Sequence, residues 1–199
     1  MTQDTRLIRL SGSFVDSSCV AVELEGREAL SSPYEFQVQF LTDSLELSCE
    51  DVIGQKIGIA IHNQGRTEGI YRHGRVNRLV LNDVNESGVR FYQIQVVPGF
   101  WFLSQANHNR IFENKTSLEI AEEIISSYGP FCELETKTNG TYIKREYCVQ
   151  FNETDLEFVE RILAEDGITY YFTFTENSHT LILTDQTNGY VDCPETKVV

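Results

Sequence analysis

Residues 147–174 read YCVQFNETDLEFVERILAEDGITYYFTF, and this stretch carries a helix start, a helix stop and a strand in one run. Thr154 followed three positions later by Glu157 forms a capping box: the Thr hydroxyl accepts an orphan amide hydrogen while the Glu carboxylate reaches back. Asp155 and Glu157 fall in the first turn, where the helix dipole favours negative charge. Leu156, Val159, Ile162 and Leu163 recur at helical spacing as the buried stripe. Glu157 and Arg161 form an exposed i, i+4 pair worth about 0.3 kcal/mol. Gly167 closes the helix, ITYYFTF leaves it as a strand, and HTLILTD is its hairpin partner across TENS.

The carboxylates of this stretch have two readings. Glu153, Asp155 and Asp166 mark the centre of a hydrolase site if they converge in a cleft with raised pKa values. They are the wet side of an ordinary helix if they spread along a solvated face. The cap and the dipole already give the first acids structural tasks, so the helix reading is preferred.

Upstream the period changes. EFQVQFL (35–41) alternates, placing Phe36, Val38 and Phe40 on one face, and KIGIAIH (56–62) repeats this with Ile57, Ile59 and Ile61. GRVNRLVL (74–81) and GVRFYQIQVV (88–97) are separated by NDVNESG, which makes them a hairpin. Antiparallel strands at this spacing point to a small barrel or sandwich. A second capped helix follows, in NKTSLEIAEEIISSYGP: Thr116 and Glu119 are its box, Leu118, Ala121, Ile124 and Ile125 its stripe, and Gly129–Pro130 its stop. TKTNGTY offers an Asn139–Gly140 hairpin turn. The expected fold is mostly β with an α+β second part: a small antiparallel β-barrel domain over residues 1–110, then an α+β domain over 111–199 with two capped helices and hairpins.

Composition excludes several functions. The 199 residues carry a formal charge of −14, from 30 acids against 16 bases, with no basic stripe, which disfavours nucleic acid and anionic membranes as partners. Cys19, Cys49, Cys132, Cys148 and Cys193 contain no CxxC pair and read as reduced thiols. MTQDTRLIRL has no apolar core or cleavage site and does not read as a signal peptide. No GxSxG, GxGxxG or GxxxxGK[ST] motif occurs, and the four histidines lack the zincin spacing. No catalytic residue, metal site, cofactor or small-molecule substrate is therefore expected. His73, in YRHGRV, reads as a strand residue beside a glycine that permits close backbone contact. His179 reads as solvent-facing, and the aromatic run of GFWFLSQ (99–105) as filling for the seam between the two domains.

Several blocks in this order resemble a known family. GREALSSPYEFQVQFLTDS looks like its entry strands. IYRHGRV, YQIQVVPGFWFLSQANHNRIFENKTSLEIAEEII and REYCVQFNETDLEFVERILAEDGITYYF follow, the last two being the most diagnostic. Together, from about Leu10 to Asp185, they are similar to the N-terminal hub region of valine–glycine repeat (VgrG) spike proteins of type VI secretion systems, which is related in fold to the baseplate hub of contractile-tailed phages. The resemblance implies a structural protein that caps a secretion tube and helps deliver effectors. It implies a trimer in the full-length protein, with the tube protein and effector or tip proteins as partners. It also implies assembly in the cytoplasm and export through the machine without a signal peptide. The hub of a phage or of another contractile injection machine is the close alternative. Family members continue beyond the point matching Val199, so the chain is expected to be part of a longer spike protein; no interface residues follow from the resemblance.

Overall fold

The computed structural model describes residues 6–43, 46–62 and 69–190. Residues 1–5 of the N-terminal stretch, and Cys193, lie outside these.

Strands β1 (Ile8–Gly12), β2 (Val20–Ala29), β3 (Ser32–Thr42), β4 (Lys56–Ile61), β5 (Ile70–Val84) and β6 (Arg90–Val97) form one antiparallel sheet in the order β1-β4-β5-β6-β3-β2. The sheet curls into a half-barrel, so that its edge strands β1 and β2 lie against each other without a ladder among the described residues. Period-two alternation explains its inner face: Phe36, Val38 and Phe40 of β3, Ile57 and Ile59 of β4 and Ile94 of β6 are all buried there. The β5–β6 turn is held by Asn85, whose Oδ1 accepts from the Ser87 and Val89 amides. A one-turn helix, α1 (Cys49–Val52), drops Val52 into the same core.

The second part begins with a 3-10 helix (Gly99–Gln105) that buries Phe100 and Leu103. Then come β7 (Asn107–Lys115), α2 (Ser117–Ser127), β8 (Glu133–Lys137), β9 (Arg145–Thr154), α3 (Asp155–Glu165), β10 (Thr169–Phe174) and β11 (His179–Thr184). Both helices carry the expected capping boxes, at Thr116–Glu119 and Thr154–Glu157. The buried stripe of α3 is Phe158, Val159, Ile162 and Leu163, with Leu156 only half-buried. Arg161 pairs with Glu153 and Glu165, not with Glu157, whose carboxylate is engaged by the cap.

Two sheets hold these helices. β10 and β11 form the expected hairpin, but β8 joins β11 in parallel, and β9 pairs with β7. The Asn139–Gly140 hairpin is thus corrected: β8 and β9 are not neighbours. Both turn amides donate instead to the Asp185 carboxylate, as does the Tyr142 hydroxyl. The Tyr142 bond leads in holding this carboxyl down at about 2. The Asn139 and Gly140 amides thus serve an anion about 45 positions on rather than a hairpin.

The two cores meet at a seam lined with aromatic rings. Phe172 and Phe174 of β10 pack onto the half-barrel core, and Tyr34 donates from its hydroxyl to the His73 carbonyl at 2.6 Å. Arg75 crosses the seam, donating to the Gly54 and Pro130 carbonyls with its guanidinium over the Phe131 ring. His179 is not solvent-facing: it is 5% exposed, with its Nδ1 2.9 Å from the Nδ1 of His73. The Gly99 amide donates to His179 Nε2 at 2.9 Å, so the His179 proton sits on Nδ1 and is donated to His73. That chain fixes the remaining His73 proton on Nε2. A Cβ at Gly99 would overlap the Phe131 carbonyl, so this close approach requires glycine.

Burial first, then the nearby Lys56 and Arg75 charges, lower His73 to about 4. Burial, then His73, Arg75 and Lys56, lower His179 to about 3. The unfolded chain titrates these rings near pH ~6.5, so between that pH and the folded values it binds more protons. Stability therefore falls as pH drops through this window, by up to about 1.4 kcal/mol per pH unit for each ring. Urea midpoints at pH 7 and pH 5 are expected to show this loss, and a His73→Gln/His179→Gln double variant to flatten it; equal pH slopes would overturn the assignment. Gly99→Ala is expected to cost about 1–3 kcal/mol in the same measurement.

Candidate interaction surface and the acids beneath it

The β7–β9 ribbon covers α3 with one face and leaves the other outward. On the inner face Phe112 stacks on Phe158 with centroids 5.7 Å apart, and Cys148 and Gln150 are buried. A β-bulge follows, where His108 faces Glu153 and Arg110 faces Gln150, so that β9 holds one more residue than β7. Asn152 takes a left-handed φ of 52° there, and its amide donates to Asn109 Oδ1.

Three donors from the bulged ribbon and one from the end of α2 converge on Asp155, the first residue of α3, whose side chain is fully buried. Gln150 Nε2 donates to Oδ1 at 2.7 Å, and His108 Nδ1 lies 3.0 Å from the same oxygen. Tyr128 and Arg110 Nη2 donate to Oδ2 at 2.8 and 3.1 Å. Arg110 Nη2 also lies 2.7 Å from His108 Nδ1, but one Nδ1 cannot donate to the carboxylate and accept from Arg110 together. With Nδ1–H aimed at Asp155, Arg110 directs its proton to Oδ2. Burial pushes the Asp155 carboxyl up; the bonds from Gln150, His108 and Tyr128 and the Arg110 charge outweigh it and hold it below its ordinary value. Burial and then Asp155 itself raise Tyr128 to about 12.

The expectation of acids spread on a wet helix face is thus wrong for Asp155. Its burial does not rescue the hydrolase alternative. Glu153 is held by Arg161 at 2.6 Å, and Asp166 faces Arg145 beyond the other end of α3. Asp155 and Asp166 stand eleven positions apart on the helix axis, about 16 Å by its rise. Glu160 accepts from Tyr170, and Glu165 from Arg145 and Arg161. No group of three metal-ligating side chains occurs among the described residues. No helix among them is long and apolar enough to cross a membrane.

The outward face of the ribbon is what sequence reasoning missed. Ile111 and Val149 stand opposite each other, Tyr147 stands opposite Glu113, and Phe151 follows at the bulge. They are 66%, 49%, 62% and 73% exposed in that order. Scattered exposed apolar residues need no explanation, but four adjoining ones on a pinned ribbon do. The signal available was that β9 is apolar at 147, 149 and 151 as well as at 148, so both its faces ask for cover.

Asp155→Ala leaves three donors and a guanidinium without their acceptor and is expected to destabilise by about 3–5 kcal/mol in urea titration. Asp155→Asn keeps the shape and is expected to cost about 1–3 kcal/mol. With the folded carboxyl pKa depressed, the Asp155 contribution is present above about pH 4 and is lost as pH falls through the folded value. Glu153→Gln, at a solvent-screened pair, should change stability by less than about 1 kcal/mol.

Comparison with known proteins places this architecture. A family model for the phage tail baseplate hub (GPD) matches residues 27–199. The type VI secretion system spike protein VgrG1b of Pseudomonas aeruginosa is 27% identical over 196 residues, covering 98% of this chain and 26% of that protein. VgrG4b of the same bacterium is 33% identical over 165 residues, covering 82% of this chain and 20% of its own. The chain thus spans only a fifth to a quarter of these relatives' length. Among solved structures, the Escherichia coli c3393 protein is a component of the type VI secretion system with structural similarity to the T4 bacteriophage tail proteins gp27 and gp5. It shares the fold at a TM-score of 0.83 and 24% identity, over 92% of this chain and 51% of its own. The half-barrel, the capped helices and the sequence match across residues 27–199 agree, and the chain belongs to the phage tail baseplate hub (GPD) family.

Proposed function

We propose that this chain is the N-terminal hub portion of a type VI secretion tail spike, which caps the secretion tube and helps deliver effectors into target cells. The observation that carries this reading is the alignment of 98% of the chain with a type VI spike protein. Two cores, the second beginning with Phe100 and Leu103 rather than at residue 111, act as two hub domains joined by the seam. The acids shape the fold, and the working surfaces are contacts between proteins. In its full-length form the protein is a trimer, bound to the tube protein on one side and to effector or tip proteins on the other. It assembles in the cytoplasm and leaves through the machine it caps.

The hub of a phage is the second reading, favoured by the description of the matching family itself. Deleting the gene in its own bacterium separates the two. The spike reading expects the tube protein to vanish from the culture medium while prophage induction still yields infectious particles. Loss of particles with secretion intact assigns the chain to a phage tail. Both phenotypes unchanged would overturn both readings.

A further inference from the structure

We infer that the outward face of the β7–β9 ribbon docks a different protein, apolar at its centre and basic at its rim, and not a second copy of this chain. The inference rests on the proposed role as a contact-making hub, and names the chemistry of one contact.

Ile111, Tyr147, Val149 and Phe151 leave half to three-quarters of their surface in water. At ~150–250 Å² per large side chain this is roughly 400–600 Å² of contiguous apolar area, the size at which patches on soluble proteins are functional. The ribbon is rigid before any partner arrives, because Asp155 gathers His108 and Arg110 of β7 and Gln150 of β9 beneath it. A preorganised face loses little conformational freedom on docking.

Charge selects the partner. The cations of the two strands are already neutralised within the chain: Arg110 by Asp155, Lys115 by Glu123, and Arg145 by Glu165 and Asp166. Glu113, directly across from Tyr147 on the same face, has no ion pair among the described residues. The face therefore presents apolar surface with an uncompensated carboxylate at its margin. A second copy would bring like charge to like charge in a chain whose formal charge is −14. A basic rim meets the same carboxylate favourably. The docking mode is side-chain packing and not strand addition at β9, because Arg161 Nη2 already donates to the Val149 carbonyl on that edge.

Two designed β-hairpin peptides test this on the full chain. Both carry one valine–phenylalanine face, rimmed by lysine in one and by glutamate in the other. The lysine-rimmed peptide is expected to bind at least tenfold more tightly by calorimetry, to shift amide resonances in 107–115 and 145–154, and to weaken with salt. Phe151→Asn and Ile111→Asn should each remove binding while circular dichroism and thermal midpoint stay unchanged, and Glu113→Gln should narrow the gap between the peptides. Equal binding of both peptides, or of neither, overturns the inference. So does concentration-dependent self-association in sedimentation that Phe151→Asn abolishes, since the occupant is then a second copy. The gene deletion reads the hub role independently: secretion or particle yield lost with no peptide binding removes only this docking face, while both phenotypes unchanged removes the hub role.

Discussion

A carboxylate taken out of water loses its hydration and is tolerated only where donors replace that hydration on both oxygens. Asp155 satisfies this with four donors from three places in the chain: His108 and Arg110 of β7, Tyr128 at the end of α2, and Gln150 of β9. β7 and β9 pair only with each other, so no sheet ladder ties this ribbon to α2 or α3 among the described residues. The carboxylate is the point at which ribbon and both helices share one position. Its backbone adds to the effect, because the Asp155 amide donates to the Ala106 carbonyl just before β7 begins. The Phe112–Phe158 stack then closes the apolar contact that the ionic cluster has aligned.

The seam between the cores is built differently. Its central polar groups are neutral and bond in a line from the Gly99 amide through His179 to His73, with Tyr34 on the His73 carbonyl. Aromatic rings surround that line: Tyr34 meets Phe172 edge-on at 4.9 Å and His179 at 5.9 Å. Hydrogen bonds between buried neutral groups are directional, so this line fixes orientation where apolar packing alone tolerates sliding. One charged group also bridges the seam: the Arg75 guanidinium lies over Phe131 and donates to the Gly54 and Pro130 carbonyls.

The features legible in the sequence are those whose partners lie close along the chain. Both capping boxes involve residues three apart, and the Asn85 turn and the alternation of β3 and β4 are equally local. What was missed needs distant partners. His179 alternates with apolar neighbours as an exposed strand residue does, and only β5 and the backbone at Gly99 make it a buried one. Asp155 looks like an ordinary first-turn acid because its donors begin 47 positions earlier. Asn139–Gly140 has the composition of a hairpin turn, and only the distant Asp185 carboxylate shows what its amides bind. The outward apolar face was hidden by the habit of assigning every apolar strand residue to the core of its own domain.

The parallel pairing of β8 with β11 has a consequence for the order in which the protein takes shape during synthesis. An antiparallel neighbour can zip from a short turn as soon as it leaves the ribosome, but β11 meets β8 only after β9, α3 and β10 have been made between them. The half-barrel ladders lie within residues 8–97, yet the His73–His179 bond that locks the half-barrel to its neighbour spans 106 positions. Long-range closures of this kind are slow, because loop entropy is lost before the contact rewards it. A half-built chain therefore waits with Tyr34 and His73 uncovered, and β11, the last of the described strands to emerge, supplies the missing wall of one core and the bolt between both.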